Sequence, residues 1–323
     1  MIELIVTDIT SKKTYMPAVQ EGMDLYLERF GSPGKLSFKT IGDQWFNEGS
    51  PVRLSVNGTV VFYGFIFSVK QDKDNFLNIT AYDQIRYLQN KDSYVYKAKT
   101  ATQVIRMIAD DFKLQCGELA DTKYVIPARA EDSQSLLDII KNALELTLTN
   151  TKEMYVLYDD NGKLTLKNIS DMQVKSGNSY LVIDKTSGEN FNYESSIDRN
   201  VANKVKLLYS DDKAGVRDAY IAQDGAHINE WGVLQHYEKL QKGENGQAKA
   251  DALLKLYNQK AKKLKISKAF GDVRVRGGSL LIVSMQLGDM KLSNQMLVES
   301  VTHHFENNHH TMDLTLRGAG ING

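Results

Sequence analysis

Apolar and polar positions alternate through Met1–Ala81 with the period of two that marks strands. Leu36–Thr40 alternates after the break Ser32-Pro33-Gly34. Pro51–Val56 leads through Asn57-Gly58, a strong two-residue hairpin signal, into a long strand over Val60–Val69. Gly64 in the middle of that strand predicts a bulge or bend, which a small barrel needs to close. The period changes after Tyr82-Asp83. Thr100 with Gln103 forms a capping-box pattern ahead of Val104, Ile105, Ile108 and Phe112 at helical spacing. A second helix is predicted from about Ser133 to Leu148, then a hairpin of Glu153–Tyr158 and Lys163–Asn168 around Asp159-Asp160-Asn161-Gly162. Strand character returns at Val201–Tyr209 and Ala219–Ala222. The chain reads as helix from about Gln247 to Leu264, and as strand again from Asp272.

The strand–turn–strand pattern near the start returns near the end. Val60–Val69, the polar turn Lys70–Asn75 and Phe76–Ala81 correspond to Gln295–Phe305, Glu306–His310 and Thr311–Leu316, and Gly49 and Gly278 open the preceding strand in each copy. This repeat predicts a mainly β protein with α+β material. Two similar small antiparallel β-barrels are expected at 1–83 and 196–323, joined by an α+β domain at 84–195. The second barrel is expected to be interrupted by a helical insertion at about 229–266. A duplicated scaffold suits a symmetric partner.

Composition narrows the class. At 323 residues the chain has room for more than one core. Forty basic and forty acidic residues cancel, so net charge asks for neither nucleic acid nor an anionic membrane. No apolar run reaches about 18 residues, and Met1–Asp8 lacks the basic and apolar regions of a signal peptide. The single cysteine, Cys116, excludes an internal disulfide and fits a reducing cytoplasm.

Candidate chemistry is sparse. His303, His304, His309 and His310 flank a tight turn, where one from each pair could meet a metal across the hairpin. No Cys, Asp or Glu completes a ligand set, because Glu306 sits in the turn, and exposed imidazoles are expected. The acidic pairs Asp110-Asp111, Asp159-Asp160 and Asp211-Asp212 raise a glycosidase reading, but lie at a helix end, in a turn and after a strand, where solvated carboxylates are usual. Cys116 has no histidine nearby in sequence, and no nucleophile elbow, P-loop or dinucleotide-binding glycine pattern occurs. Gly271–Gly278, with Arg274, Arg276 and Gly277-Gly278, fits an anion site or a plain strand connection. Lys260–Lys268 reads as a solvated basic face. The expectation is no catalytic residue, no cofactor-binding residue and no metal ligand.

Particular segments nevertheless resemble a known family. Pro33–Phe38 (PGKLSF), Glu48–Leu54 (EGSPVRL), Val61–Phe67 (VFYGFIF) and Ala81–Leu88 (AYDQIRYL) are similar to baseplate hub proteins of contractile phage tails, of the XkdQ type found in PBSX-like prophages. The helix Thr100–Ala109 and the strand Asn203–Tyr209 extend the resemblance over essentially the whole chain. It implies a non-enzymatic structural subunit with two similar barrels, three copies making a pseudo-sixfold ring that joins the hexameric tail tube to the trimeric central spike. The implied partners are further copies of itself, the tube and spike proteins, and other baseplate proteins, among them the tape measure. No membrane or specific nucleic acid is implied. Assembly would take place in the bacterial cytoplasm, within a virion or phage-tail-like bacteriocin particle. Unlike larger hubs, the chain carries no lysozyme-like segment. Two other classes compete: a cell-wall glycan hydrolase, and a carbohydrate- or peptide-binding tail module using exposed aromatics such as Trp45 and Trp231.

Overall fold

The computed structural model describes residues 1–176, 179–198, 201–211, 216–240, 244–287 and 290–318. The alternating N-terminal pattern forms β1 (Ile2–Thr7), β2 (Thr14–Tyr15), β3 (Val19–Glu28), β4 (Lys35–Ile41), β5 (Pro51–Val56), β6 (Thr59–Gln71) and β7 (Phe76–Tyr82). Asn57 and Gly58 both take positive φ, 51° and 80°, the backbone that a two-residue hairpin between β5 and β6 requires. Gly64 is not the bulge. Register shifts flank it, between Leu54 and Ser55 of β5 and between Ile66 and Ser68 of β6. Glycine is needed at 64 because an added Cβ would lie 2.3 Å from the carbonyl oxygen of Tyr82.

The α+β stretch comprises β8 (Lys91–Thr100), α1 (Ala101–Asp111), β9 (Cys116–Leu119), β10 (Val125–Ser135), α2 (Leu136–Thr151), β11 (Tyr155–Asp159) and β12 (Leu164–Asn168). The capping box forms, Thr100 Oγ1 accepting from Gln103 N–H while Gln103 Oε1 accepts from Thr100 N–H. Ala101, Val104, Ile105 and Ile108 of α1 pack with Leu136, Ile140 and Leu144 of α2 in one core. A second core gathers Leu4, Leu25, Leu36, Phe38, Leu54 and Ile66 between the N-terminal strands.

Next come β13 (Lys175–Ser176), β14 (Ser179–Tyr180), β15 (Val182–Asp184) and β16 (Asn190–Ser196). The chain leaves this first compact unit, Met1–Asn192 with Lys265–Leu316, for a second unit beginning at Tyr193. The second unit contains β17 (Lys204–Asp211), β18 (Val216–Gln223), α3 (Gly225–Trp231), β19 (Gln235–Lys239) and α4 (Gly246–Tyr257). Its sheet runs β18-β17-β19, antiparallel then parallel, over a core of Val205, Leu207, Ala222, Leu240 and Ala250. Leu253 and Leu254 of α4 pack onto that core. The helix expected to reach Leu264 stops at Tyr257, with Asn258 as its C-cap. Leu264 and Ile266 are buried two residues apart because they belong to a strand, β20 (Ala261–Phe270).

The chain closes with β21 (Leu280–Leu287), β22 (Met290–Glu306) and β23 (His309–Gly318). Thirteen strands share one sheet, whose main path is β16-β20-β23-β22-β3-β4-β7-β6-β5-β1-β2, with β21 on β22 and β15 on β21. The spatial order β3-β4-β7-β6-β5 therefore recurs as β16-β20-β23-β22-β21, with the same chain order inside each set. The copies differ at their margins, since β1 joins β5 antiparallel whereas β15 joins β21 parallel.

Candidate functional site

Backbone hydrogen bonds fix how the two copies align. In the first, Gly49 N–H donates to Ile66 O (2.7 Å) and Ile66 N–H to Ser50 O (2.9 Å); in the second, Gly278 N–H donates to Val298 O and Val298 N–H to Ser279 O, both 2.8 Å. Ser50 N–H then reaches Asn47 O (3.1 Å), as Ser279 N–H reaches Arg276 O (3.0 Å). Gly49 and Gly278 hold φ of 83° and 94°, where a side chain is strained. The shared anchor places Ile66 on Val298, whereas aligning the expected strand starts places it on Val301. Strand and turn lengths alone carry no register; the ladder does.

Beyond the anchor the copies diverge. Past Val298, β22 continues, and Ser300–Phe305 pairs antiparallel with Glu28–Met23 of β3. Arg29 N–H donates to Glu299 O (2.8 Å), and Arg29 Nε meets Glu299 Oε2 at 2.9 Å. Past Ile66, β6 pairs with β7 on one side as far as Gln71. On its other side β5 ends at Pro51 opposite Phe65, and among the described residues no strand follows it. The outward face of β6 carries Tyr63, Phe65 and Phe67; Tyr63 meets Phe65 edge-on, Phe65 meets Tyr87 edge-on, and Phe67 meets Tyr82 edge-on and Tyr87 tilted. Arg86 lies over Phe67, 5.4 Å from its centroid. This aromatic row sits at every second residue, a signal visible in the sequence but hidden there by the apolar positions between.

Two buried carboxyls and a half-buried guanidinium join the strand copies to the α+β core. Asp83 caps the 3₁₀ turn Gln84–Gln89, accepting from Ile85 N–H (3.0 Å) and from Gly34 N–H (2.9 Å). Burial, with the charge of Asp159 nearby, pushes its carboxyl well above the usual range. Asp159 accepts from Gly162 N–H (2.8 Å), and burial raises it to about 6. The turn chemistry expected at Asp159 is present, but the carboxylate is buried rather than solvated, with Gln84 and Arg276 beside it. Arg276 donates from Nη2 to Asp159 O (2.8 Å) and stacks 3.8 Å from the Tyr158 ring centroid. Arg274 is held by Asp272 and by the Lys175 carbonyl. Both guanidiniums of the glycine-rich connection are thus engaged within the protein, not poised for an anion.

His309 is exposed, as expected of the turn, but His303 and His310 part from that expectation. His303 is 1% exposed; its Nε2 lies 2.9 Å from Val275 O, and its Nδ1 lies 2.9 Å from His310 Nε2. A carbonyl only accepts, so His303 carries its proton on Nε2 and His310 donates from Nε2 to the bare Nδ1. Burial, then the neighbouring His310, lowers His303 to about 3; burial lowers His310 to about 4. A neutral pair fills the interior here. His304 Nδ1 meets Asp24 at 2.7 Å and its Nε2 meets Asp313 at 3.3 Å. Among the described residues no cluster of three His, Cys, Asp or Glu has metal-binding geometry. Asp110 and Asp111 are exposed at the end of α1, Asp111 accepting from the Tyr94 hydroxyl (2.8 Å). Asp212 lies outside the described residues. Burial raises the Cys116 thiol, the reverse of nucleophile activation. Trp45 is 46% exposed, while Trp231 stacks on His227 at 4.1 Å.

A family model described as YQBQ-like matches residues 24–317. The chain belongs to the YQBQ-like family. XkdQ of the phage-like element PBSX, from Bacillus subtilis strain 168, is 29% identical over 97% of this chain and 96% of its own length. The 43 kDa tail protein of prophage MuSo2 from Shewanella oneidensis has a TM-score of 0.70 at 13% identity, covering 99% of this chain and 100% of that one. The E. coli c3393 protein, a type VI secretion component similar to T4 tail proteins gp27 and gp5, has a TM-score of 0.58 at 11% identity, covering 98% and 76%. The fold is similar to that of a prophage tail protein and of a secretion component itself likened to phage tail proteins. By name these relatives and neighbours are phage-element, tail and secretion-system proteins rather than enzymes. No helix among the described residues is long and apolar enough to cross a membrane.

Proposed function

We propose that this YQBQ-like protein is a baseplate hub subunit of a contractile tail or phage-tail-like particle. Three copies form a ring of pseudo-sixfold symmetry between the hexameric tail tube and the trimeric central spike. The observation that carries this reading is the repeated strand order with its shared Gly-Ser anchor. Two like surfaces per chain turn three subunits into six near-equivalent positions, which a sixfold tube can meet without changing its own symmetry. In this reading the strands of 1–83 supply one barrel and β16 with β20–β23 supply the other, the α+β material lying between them in sequence and β17–α4 forming an inserted unit. The subunit is made in the bacterial cytoplasm and meets the tube, the spike and other baseplate proteins there. Electron cryomicroscopy of particles carrying a tag on this subunit tests it. Three copies at the junction of tube and spike are expected; six copies, or density on fibres away from the axis, would remove the hub role.

A further inference from the structure

We infer that the open edge of β6, residues Phe67–Gln71, receives β16 of a second copy of this chain. The inference rests on the hub reading for the number of copies, but its geometry comes from the repeat within one chain. In the spatial correspondence, β22 stands for β6 and β3 stands for β16. Within one molecule β22 runs past its anchor residue Val298 and takes β3 antiparallel along Ser300–Phe305. β6 runs past its own anchor residue Ile66 in the same way, and among the described residues its flank beyond β5 takes no strand.

The counterpart is also open. β16 is the terminal strand of the sheet path and, among the described residues, pairs with β20 alone. Asn190, Phe191, Asn192, Glu194 and Ser195 are exposed, Phe191 by 43%. An edge left bare like this is a template for strand addition. Pairing on β6 with β7 runs Ser68↔Thr80 and Lys70↔Asn78, and Asp72 N–H reaches Phe76 O at 2.9 Å. By antiparallel alternation Val69 and Gln71 then aim their backbone groups at the free side. Lys70 is the one charge within 66–71 and Glu194 the one charge within β16, of opposite sign.

The contact joins two different surfaces, so it is heterologous and propagates from copy to copy until a rotation closes it. Continuing the internal β22–β3 step by this β6–β16 step gives alternating near-equivalent junctions around a ring, six for three chains.

Disulfide trapping tests this on the full chain with Cys116→Ser as background. One cysteine is placed on β6 (Ser68→Cys or Lys70→Cys) and one on β16 (Asn192→Cys or Glu194→Cys), and all four pairings are oxidised. The expected result is a ladder on a denaturing gel that stops at three chains, formed only when both cysteines are present. Single-cysteine proteins are expected to stay monomeric on the gel. Sedimentation of the parent separates the failures. Trimers in sedimentation without cross-links overturn the β6–β16 contact and spare the ring. Cross-links that continue past three chains keep the contact and overturn the closed ring. Neither trimers nor cross-links at any concentration overturns both.

Discussion

Val69 and Val301 stand three residues beyond the equivalent anchors Ile66 and Val298, yet one is half-buried at the edge of the N-terminal core and the other fully buried. Val301 is opposed by Leu27 of β3, and nearby Phe305, 2% exposed, enters the core of the N-terminal strands. Val69 has a strand on one side only. The same extension of a hairpin is therefore an internal seam in one copy and a bare margin in the other. Folding within a chain consumes one edge of a repeated scaffold and leaves its twin for a neighbour.

The largest expected effect probes that inequality. Val301→Asp buries an unpaired charge in the seam and should destabilise by about 4 kcal/mol. Val69→Asp, half-buried against the N-terminal core, should cost less, about 2 kcal/mol in the isolated chain. Urea midpoints measure both, and equal losses would mean that the two extensions are not in different environments.

A pH profile separates the copies next. His303 and His310 titrate lower in the fold than their usual 6.5, at about 3 and about 4, so the native state binds fewer protons than the unfolded chain. Their contribution is complete above about 6.5 and is lost as pH falls toward 3, on the order of 4 kcal/mol for a single buried histidine. Asp159 has the opposite sign. Its carboxyl is raised to about 6, so stability is present below the ordinary carboxylate value and is lost as pH rises through 6. Asp159→Asn, which keeps the acceptor for Gly162 N–H, should flatten that alkaline slope and stabilise at pH 7 by about 2 kcal/mol. A His303→Asn protein whose acid limb matches the parent's would exclude the imidazole pair as its cause.

The anchor glycines sharpen the comparison at smaller scale. Both adopt positive φ, but an added Cβ at Gly278 would meet Val156 at 2.8 Å, while at Gly49 the nearest atom is Ile9 Cδ1 at 3.5 Å. Alanine at 49 should cost about 1 kcal/mol, mainly backbone strain, and alanine at 278 about 2–3 kcal/mol with the clash added. Thermal melts that rank them the other way would show that Val156 yields more easily than β5 does.

Much of this architecture was legible because local signals agreed with the fold. Asn57-Gly58, the Thr100–Gln103 box and the alternation of β4 to β7 each needed only near neighbours. The helix over Gln247–Leu264 was overextended because Ala261 and Leu264 fit helical spacing by coincidence with Tyr257, and only sheet pairing distinguishes them. The burial of Asp159 and His303 and the engagement of Arg276 were invisible for a related reason. Each owes its environment to a partner far along the chain: Arg276 reaches Asp159, and His303 reaches Val275. The repeat was detectable as strand, turn and strand, and Gly49 and Gly278 marked its start, but its register lies in the residues their amides meet, Ile66 and Val298, which sequence spacing does not give.

The smallest expected effect lies on the surface of the seam. His304 reaches Asp24 of β3 at 2.7 Å and Asp313 of β23 at 3.3 Å, spanning three adjacent strands. Its side chain is 34% exposed and both aspartates more so, so solvent screens the pairs. His304→Ala should cost no more than about 1 kcal/mol, with a smaller loss at high salt. The position is informative because the internal seam carries this polar clasp over backbone pairing already present. If His304→Ala instead cost as much as Val301→Asp, the β22–β3 junction would owe its stability to charge, and the open edge of β6 would be a poor likeness of it. A small, salt-sensitive loss would mean that backbone pairing and apolar cover suffice to join the copies, which are the properties β6 and β16 bring to a second chain.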